Sequence, residues 1–230
     1  VPGSSPAPTA PPLLTGAAPA PLPVPTGAAT PDDRAALQDG LRRTAVALID
    51  AEIPFALVGG YAAWARGAPE PSHDADFAVA EDDVDAARAA LTAAGLDVQQ
   101  PAENWLFKAY HHGQLVDVIF RMVGEPVTRE HLAHADQLEV LAVRMPVLPA
   151  TDIISAKMRV LGEHYCDFTW LLPMARALRE QIDWDRVRRE IDGQPYAMAF
   201  MYLADELGLT GHPGQRLTAT PGRTGPGAEV

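Results

Sequence analysis

Asp74 and Asp76 stand one alanine apart in "SHDADF", separated by thirteen residues from the glycine pair Gly59-Gly60 that closes the apolar run "FALV". On a strand, residues two apart leave the same face, so both carboxylates would point one way. Like charges placed side by side repel unless a cation lies between them, and oxygen donors that leave room for water suit Mg²⁺. Glycines at a strand-to-helix turn let a phosphate come close to the backbone, where the first N–H groups of the helix can donate to it. One segment would thus hold the anionic end of a nucleotide and the metal that neutralises it. Each feature alone reads as a cap, a solvated pair or a tight turn. The weight lies in their order: strand, Gly-Gly, helix, loop, then the aspartates at the start of a second strand.

Two further residues carry charge into apolar surroundings. Asp117 sits in "QLVDVIF" among Leu115, Val116, Val118 and Ile119. An unpaired buried charge is costly, so this aspartate is either a hydrogen-bonded core residue or part of a site. Lys157 shares a helical face with Ile153, Ile154 and Leu161, which aims its ammonium at the interior or a cleft; the plainer reading is a lysine snorkelling to the surface. Arg66 and Arg159 are further cations able to offset phosphate charge, against Glu70, which would oppose it. His111 and His112 are neighbours on a strand and face opposite sides, so they read as turn residues rather than ligands of one metal. Cys166, the only cysteine, and the four tryptophans are expected to pack, with Tyr61 or Trp105 as residues that could stack on a base.

The elements that must position these groups are legible in outline. Thr30 suits an N-cap and Pro31 the first helical position, and Leu37, Leu41, Ala45 and Leu48 recur at helical spacing. Pro54 stops that helix, "FALV" is a buried strand, and "YAAWARG" a short helix closed by Gly67. "DADFAVA" is a second strand, followed by a helix with Val84, Ala87, Leu91 and Ala94 on one face. "WLFKAYHHGQLVDVIFRM" is a β-hairpin turning near His112-Gly113-Gln114. "LEVLAVRMPVL" reads as one more strand. From Thr151 the pattern is helical, with a new helix expected to begin at Pro173. Strands mixed with helices, then helices alone, give an α/β (α+β) class: a mixed sheet with flanking helices and a helical C-terminal part.

Composition sets the outer bounds. The chain has 230 residues, 47% of them hydrophobic, and a formal charge of −12. That charge argues against a nucleic-acid coat, which needs a basic surface, but allows a local basic site for one phosphate-bearing ligand. No apolar run reaches membrane-spanning length, and the single cysteine fits a reducing cytoplasm. Residues 1–30, rich in proline and alanine, and 211–230 are expected to be disordered. The folded region then divides into a catalytic domain over 31–148 and a helical subdomain over 149–210.

The Gly-Gly and Asp-x-Asp stretch, Val58-Gly59-Gly60 through Asp74-Ala75-Asp76-Phe77, resembles the signature of the nucleotidyltransferase superfamily typified by DNA polymerase β, and Asp117 matches the superfamily's third carboxylate. "LPATDIISAKMRVLGEHYCDFTWLLPMARAL" resembles the segment after the catalytic domain in AbiEii-like and MenT-like nucleotidyltransferases, many of them toxins paired with an antitoxin. The resemblance covers most of residues 52–185. It implies a nucleotidyltransferase core in which Asp74, Asp76 and Asp117 bind Mg²⁺, with Lys157 as a further catalytic residue. It also implies that Gly59, Gly60, Arg66, Lys157 and Asp167 contact the NTP. The acceptor would be tRNA or a protein in a toxin-like enzyme, with an antitoxin as partner, or an aminoglycoside in a resistance-type enzyme. A silent nucleotide-binding module is the remaining alternative. The loop Glu70-Pro71-Ser72-His73 departs from relatives that carry a basic residue and a threonine there.

Overall fold

The structure, a computed structural model, describes residues 30–211, so the expectations for most of the two terminal segments lie outside the described residues. The chain begins with α1 (Pro31–Asp50), whose start is fixed by a capping box. The Thr30 hydroxyl accepts from the Asp33 N–H, and the Asp33 carboxylate accepts from Thr30 in return. Then follow β1 (Phe55–Val58), α2 (Gly59–Ala65), β2 (Asp74–Val79), a single 3₁₀ turn and α3 (Val84–Ala93). Four strands come next: β3 (Asp97–Gln99), β4 (Leu106–His111), β5 (Gln114–Ile119) and the short β6 (Arg121–Met122). β7 (Glu125–Pro126), α4 (Arg129–Ala133), β8 (Asp136–Val140) and β9 (Val143–Val147) complete the sheet region. The rest is helical: α5 (Ala150–Arg159), α6 (Phe168–Leu178), α7 (Trp184–Glu190) and α8 (Pro195–Glu206).

Seven strands form one mixed sheet in the order β3-β4-β5-β2-β1-β9-β8. β2 runs antiparallel to β1 and parallel to β5, while β4 and β5 form the expected hairpin. One sheet face packs on α1. His111 of β4 bonds Asp39 of α1, and a Cβ at Gly40 would touch His111 and Val116. By strand alternation, Lys108 and Asp117 point to the opposite face.

Three local expectations are corrected. The segment read as one strand is a hairpin of β8 and β9, turning at Leu141 and Ala142, both with positive φ. Neither residue announces a turn by type, so the apolar run concealed it. Pro173 lies inside α6 rather than opening a helix, because Asp167 has already capped the helix and its Thr169 N–H bond starts the first turn. The proline then costs one backbone bond, that to the Thr169 carbonyl. Ala94, expected on the buried face of α3, is exposed beyond the helix end.

Candidate active site

Asp74 and Asp76 occupy the first half of β2, and both leave the same face. β5 lies beside it in parallel register, with Asp76 opposite Asp117. Strand pairing therefore stacks a third carboxylate beside the first two. One oxygen from each of the three lies within 4.8 Å of the others; Asp74 and Asp76 are half-buried and Asp117 is buried.

The charge of this cluster is only partly offset. Burial pushes the Asp76 carboxyl up to about 7, and the neighbouring Asp74 charge adds to that. The Lys157 ammonium and the Gly60 N–H pull the other way. Asp117 is also raised, first by burial, against which the Lys108 ammonium works.

The glycine pair serves this cluster directly. Gly59 has φ +62°, and a Cβ there would lie 2.7 Å from Asp76 Cγ. A Cβ at Gly60 would lie 2.9 Å from the Pro71 side chain. The space left by the two missing side chains is thus filled by Asp76 and Pro71, and the Gly60 N–H donates to Asp76. A close approach to the backbone was expected at the glycines, and a carboxylate of the same chain makes one at Gly59.

The remaining sequence expectations divide. Lys157 is half-buried on α5, near enough for its charge to act on Asp76. Arg66 is turned to structural use: Nε donates to the Leu148 carbonyl at 2.6 Å, and its second nitrogen donates to the Val147 carbonyl at 2.9 Å and to Asp136 at 2.6 Å. Asp167 is exposed and caps α6 through Thr169, and it is not among the converging carboxylates. Glu70 has a structural part: its carboxylate accepts from Gln38 at 2.7 Å and from the Tyr61 hydroxyl at 3.3 Å, tying the loop before β2 to α1 and α2. Tyr61 is wholly buried and offers no face to a base, whereas Trp105 and Trp170 are exposed rather than packed. Cys166 is exposed as well.

Lys108 was missed. It lies on β4 directly across from Asp117, is 9% exposed, and places its ammonium 3.2 Å from Asp117 Oδ1. The signal available was a lysine within "LFKAY", on the strand that the hairpin had to pair with "QLVDVIF".

Two solved structures of the antibiotic-resistance factor ANT(2'')-Ia share this architecture. The solution structure superposes with a TM-score of 0.54 at 14% identity, covering 78% of this chain and all of that one. The crystal structure in complex with adenylyl-2''-tobramycin gives 0.51 at 16% identity, covering 71% and 96% of the two chains. A putative nucleotidyltransferase from Thermotoga maritima superposes more loosely, at 0.43, with 16% identity over 52% of this chain and 81% of that one. The chain has the nucleotidyltransferase fold. No protein-family model and no curated protein matches the sequence.

Proposed function

We propose that the protein transfers a nucleoside monophosphate from an NTP to a hydroxyl-bearing acceptor and releases pyrophosphate. The observation that carries this reading is the convergence of Asp74, Asp76 and Asp117 within 4.8 Å on a sheet of the nucleotidyltransferase fold. The three residues fit Mg²⁺: every donor is a carboxylate oxygen, and all three converge on one point. Asp74, Asp76 and Asp117 would hold the ion. When bound, it supplies positive charge that neutralises the triphosphate and the charge developing on the transferred phosphoryl group.

The chain's other groups fit around that centre. Asp117 would assist in taking the proton of the attacking hydroxyl, a role its carboxyl, raised by burial, can serve. The acceptor oxygen bonds to the α-phosphorus as the bridge to the β-phosphate breaks, and the bonding pair leaves with pyrophosphate. Lys157 would offset charge on that leaving group. Gly59 keeps Asp76 in the cluster by admitting it against the backbone, and Gly60 admits Pro71 of the loop before β2.

Two acceptor classes rest on separate observations. The superposition on ANT(2'')-Ia spans that whole chain and 78% of this one, and a chain of charge −12 suits a cationic small molecule such as an aminoglycoside. The toxin-like resemblance is supported by Lys157 beside Asp76, while its second residue, Asp167, is occupied as a helix cap. The test incubates the protein with each labelled NTP and Mg²⁺, in turn with aminoglycosides, bulk tRNA and cell lysate. Label is expected in one acceptor class, and Asp76→Ala is expected to lower transfer by at least about 100-fold. NTP binding without transfer to any acceptor would instead indicate a silent nucleotide-binding module.

A further inference from the structure

Lys108 is the one cation bonded to the carboxylate cluster among the described residues, and neither the sequence pattern nor the fold likeness assigns it a part. Its ammonium is held in a narrow place. Both side chains of the pair are nearly buried, at 11% and 12% exposure, and the strands that carry them are paired with Lys108 opposite Asp117. A lysine buried to this degree keeps its charge only against a partner, and Asp117 is that partner. The bond uses Oδ1 and leaves Oδ2 of the same carboxylate for an ion.

We propose that Lys108 is a positioning residue that competes with the divalent ion for Asp117 and so sets how tightly the protein alone binds metal. The inference rests on the reading of Asp74, Asp76 and Asp117 as a metal centre. Two consequences follow from a fixed positive charge bonded to a metal ligand. It repels an incoming cation at short range, where the local dielectric screens little. It also fixes the Asp117 carboxylate in one orientation, with one oxygen already engaged. A protein with this arrangement holds its ion weakly until a triphosphate adds the missing negative charge. Metal loading is then tied to substrate.

The alternative is that Lys108 serves only to make a buried aspartate tolerable, in which case its removal changes stability and leaves the ion's affinity alone. Binding of Mn²⁺ to the nucleotide-free, full-length protein separates the two, read by the loss of the free-ion electron paramagnetic resonance signal. Lys108→Met and Lys108→Gln are expected to bind Mn²⁺ about tenfold more tightly than the parent, and Lys108→Arg, which keeps the charge, to stay within about twofold of it. Circular dichroism confirms that each variant is folded, and Lys108→Gln, able to donate to Asp117, covers the case in which Lys108→Met is not. Affinities within twofold of the parent in both uncharged variants would overturn the proposal while leaving the metal centre in place. Absence of Mn²⁺ binding in the parent and all variants would overturn the metal centre itself.

Discussion

Asp76 is the residue on which stability and function pull in opposite directions. Its carboxyl is raised to about 7 in the folded protein, above the ordinary carboxylate value. Between those two values the folded chain keeps a proton that the unfolded chain has lost, so this group's contribution to stability falls as pH rises through the window. Asp76→Asn removes the charge. It is therefore expected to melt higher than the parent at pH 8 in EDTA, by roughly 2–8 °C, and to match it at pH 5. Equal melting temperatures at both pH values would contradict the assignment of strain to this carboxylate. Gly59 gives a second test. Gly59 and Gly113 both have positive φ, at +62° and +79°, but only Gly59 faces Asp76. Alanine at either position should cost ~1–2 kcal/mol of backbone strain. Only Gly59→Ala should also weaken Mn²⁺ binding, because its methyl group displaces Asp76. The aspartates were legible because charge is scarce in apolar strands, and the glycines because a pair of them at a strand end marks a tight turn. Lys108 was not, because its meaning depends on which residue the hairpin sets across from it.

At the scale of elements, α2 and the loop after it act as the brace for the first half of β2. Arg66 ties the end of α2 to the backbone at Val147 and Leu148, and Glu70 ties the following loop to Gln38 and Tyr61. Arg66→Ala is expected to destabilise the protein by about 1–3 kcal/mol, because it removes donors from two carbonyls. In a transfer assay its KM for NTP should stay within about twofold of the parent, measured at a temperature where the variant is folded. A large rise in KM without loss of stability would support the phosphate-binding role that its sequence position suggests. Helices were readable here from caps and periodicity: Thr30 and Pro31 begin α1 where expected. The β8–β9 turn was hidden, since Leu141 and Ala142 adopt left-handed backbone without glycine or asparagine to mark it. Pro173 misled for the converse reason. Asp167 caps the helix ahead of it, and packing of Leu171, Met174, Ala175 and Leu178 holds the helix despite the missing bond.

For the whole molecule, one buried apolar cluster runs from Leu37 in α1 through Val118 in β5 to Ile154, Leu178 and Phe200 in the C-terminal helices. The change from sheet to helices near residue 148 is thus a change of secondary structure within a shared core. A fragment ending at 148 would lose α5, which packs on α2 and whose Ile153, Ile154 and Met158 are each at most 2% exposed in the full chain, and would so bare part of the shared core. Such a fragment is expected to lose cooperative unfolding in a thermal melt. A sharp transition for it would show two independently folding units. The fold class was legible because strand and helix patterns alternate and then separate. The shared core was not, because periodicity marks which face of a helix is apolar and is silent on what it meets.

The proposed function requires that Asp74, Asp76 and Asp117 form one divalent-ion centre. Anomalous diffraction from crystals grown with Mn²⁺ and a non-hydrolysable NTP analogue tests it most directly. A manganese peak bonded to oxygens of all three carboxylates, with the triphosphate beside it, is the expected result. Manganese and triphosphate bound elsewhere, with Asp117 still engaged by Lys108 alone, would contradict it.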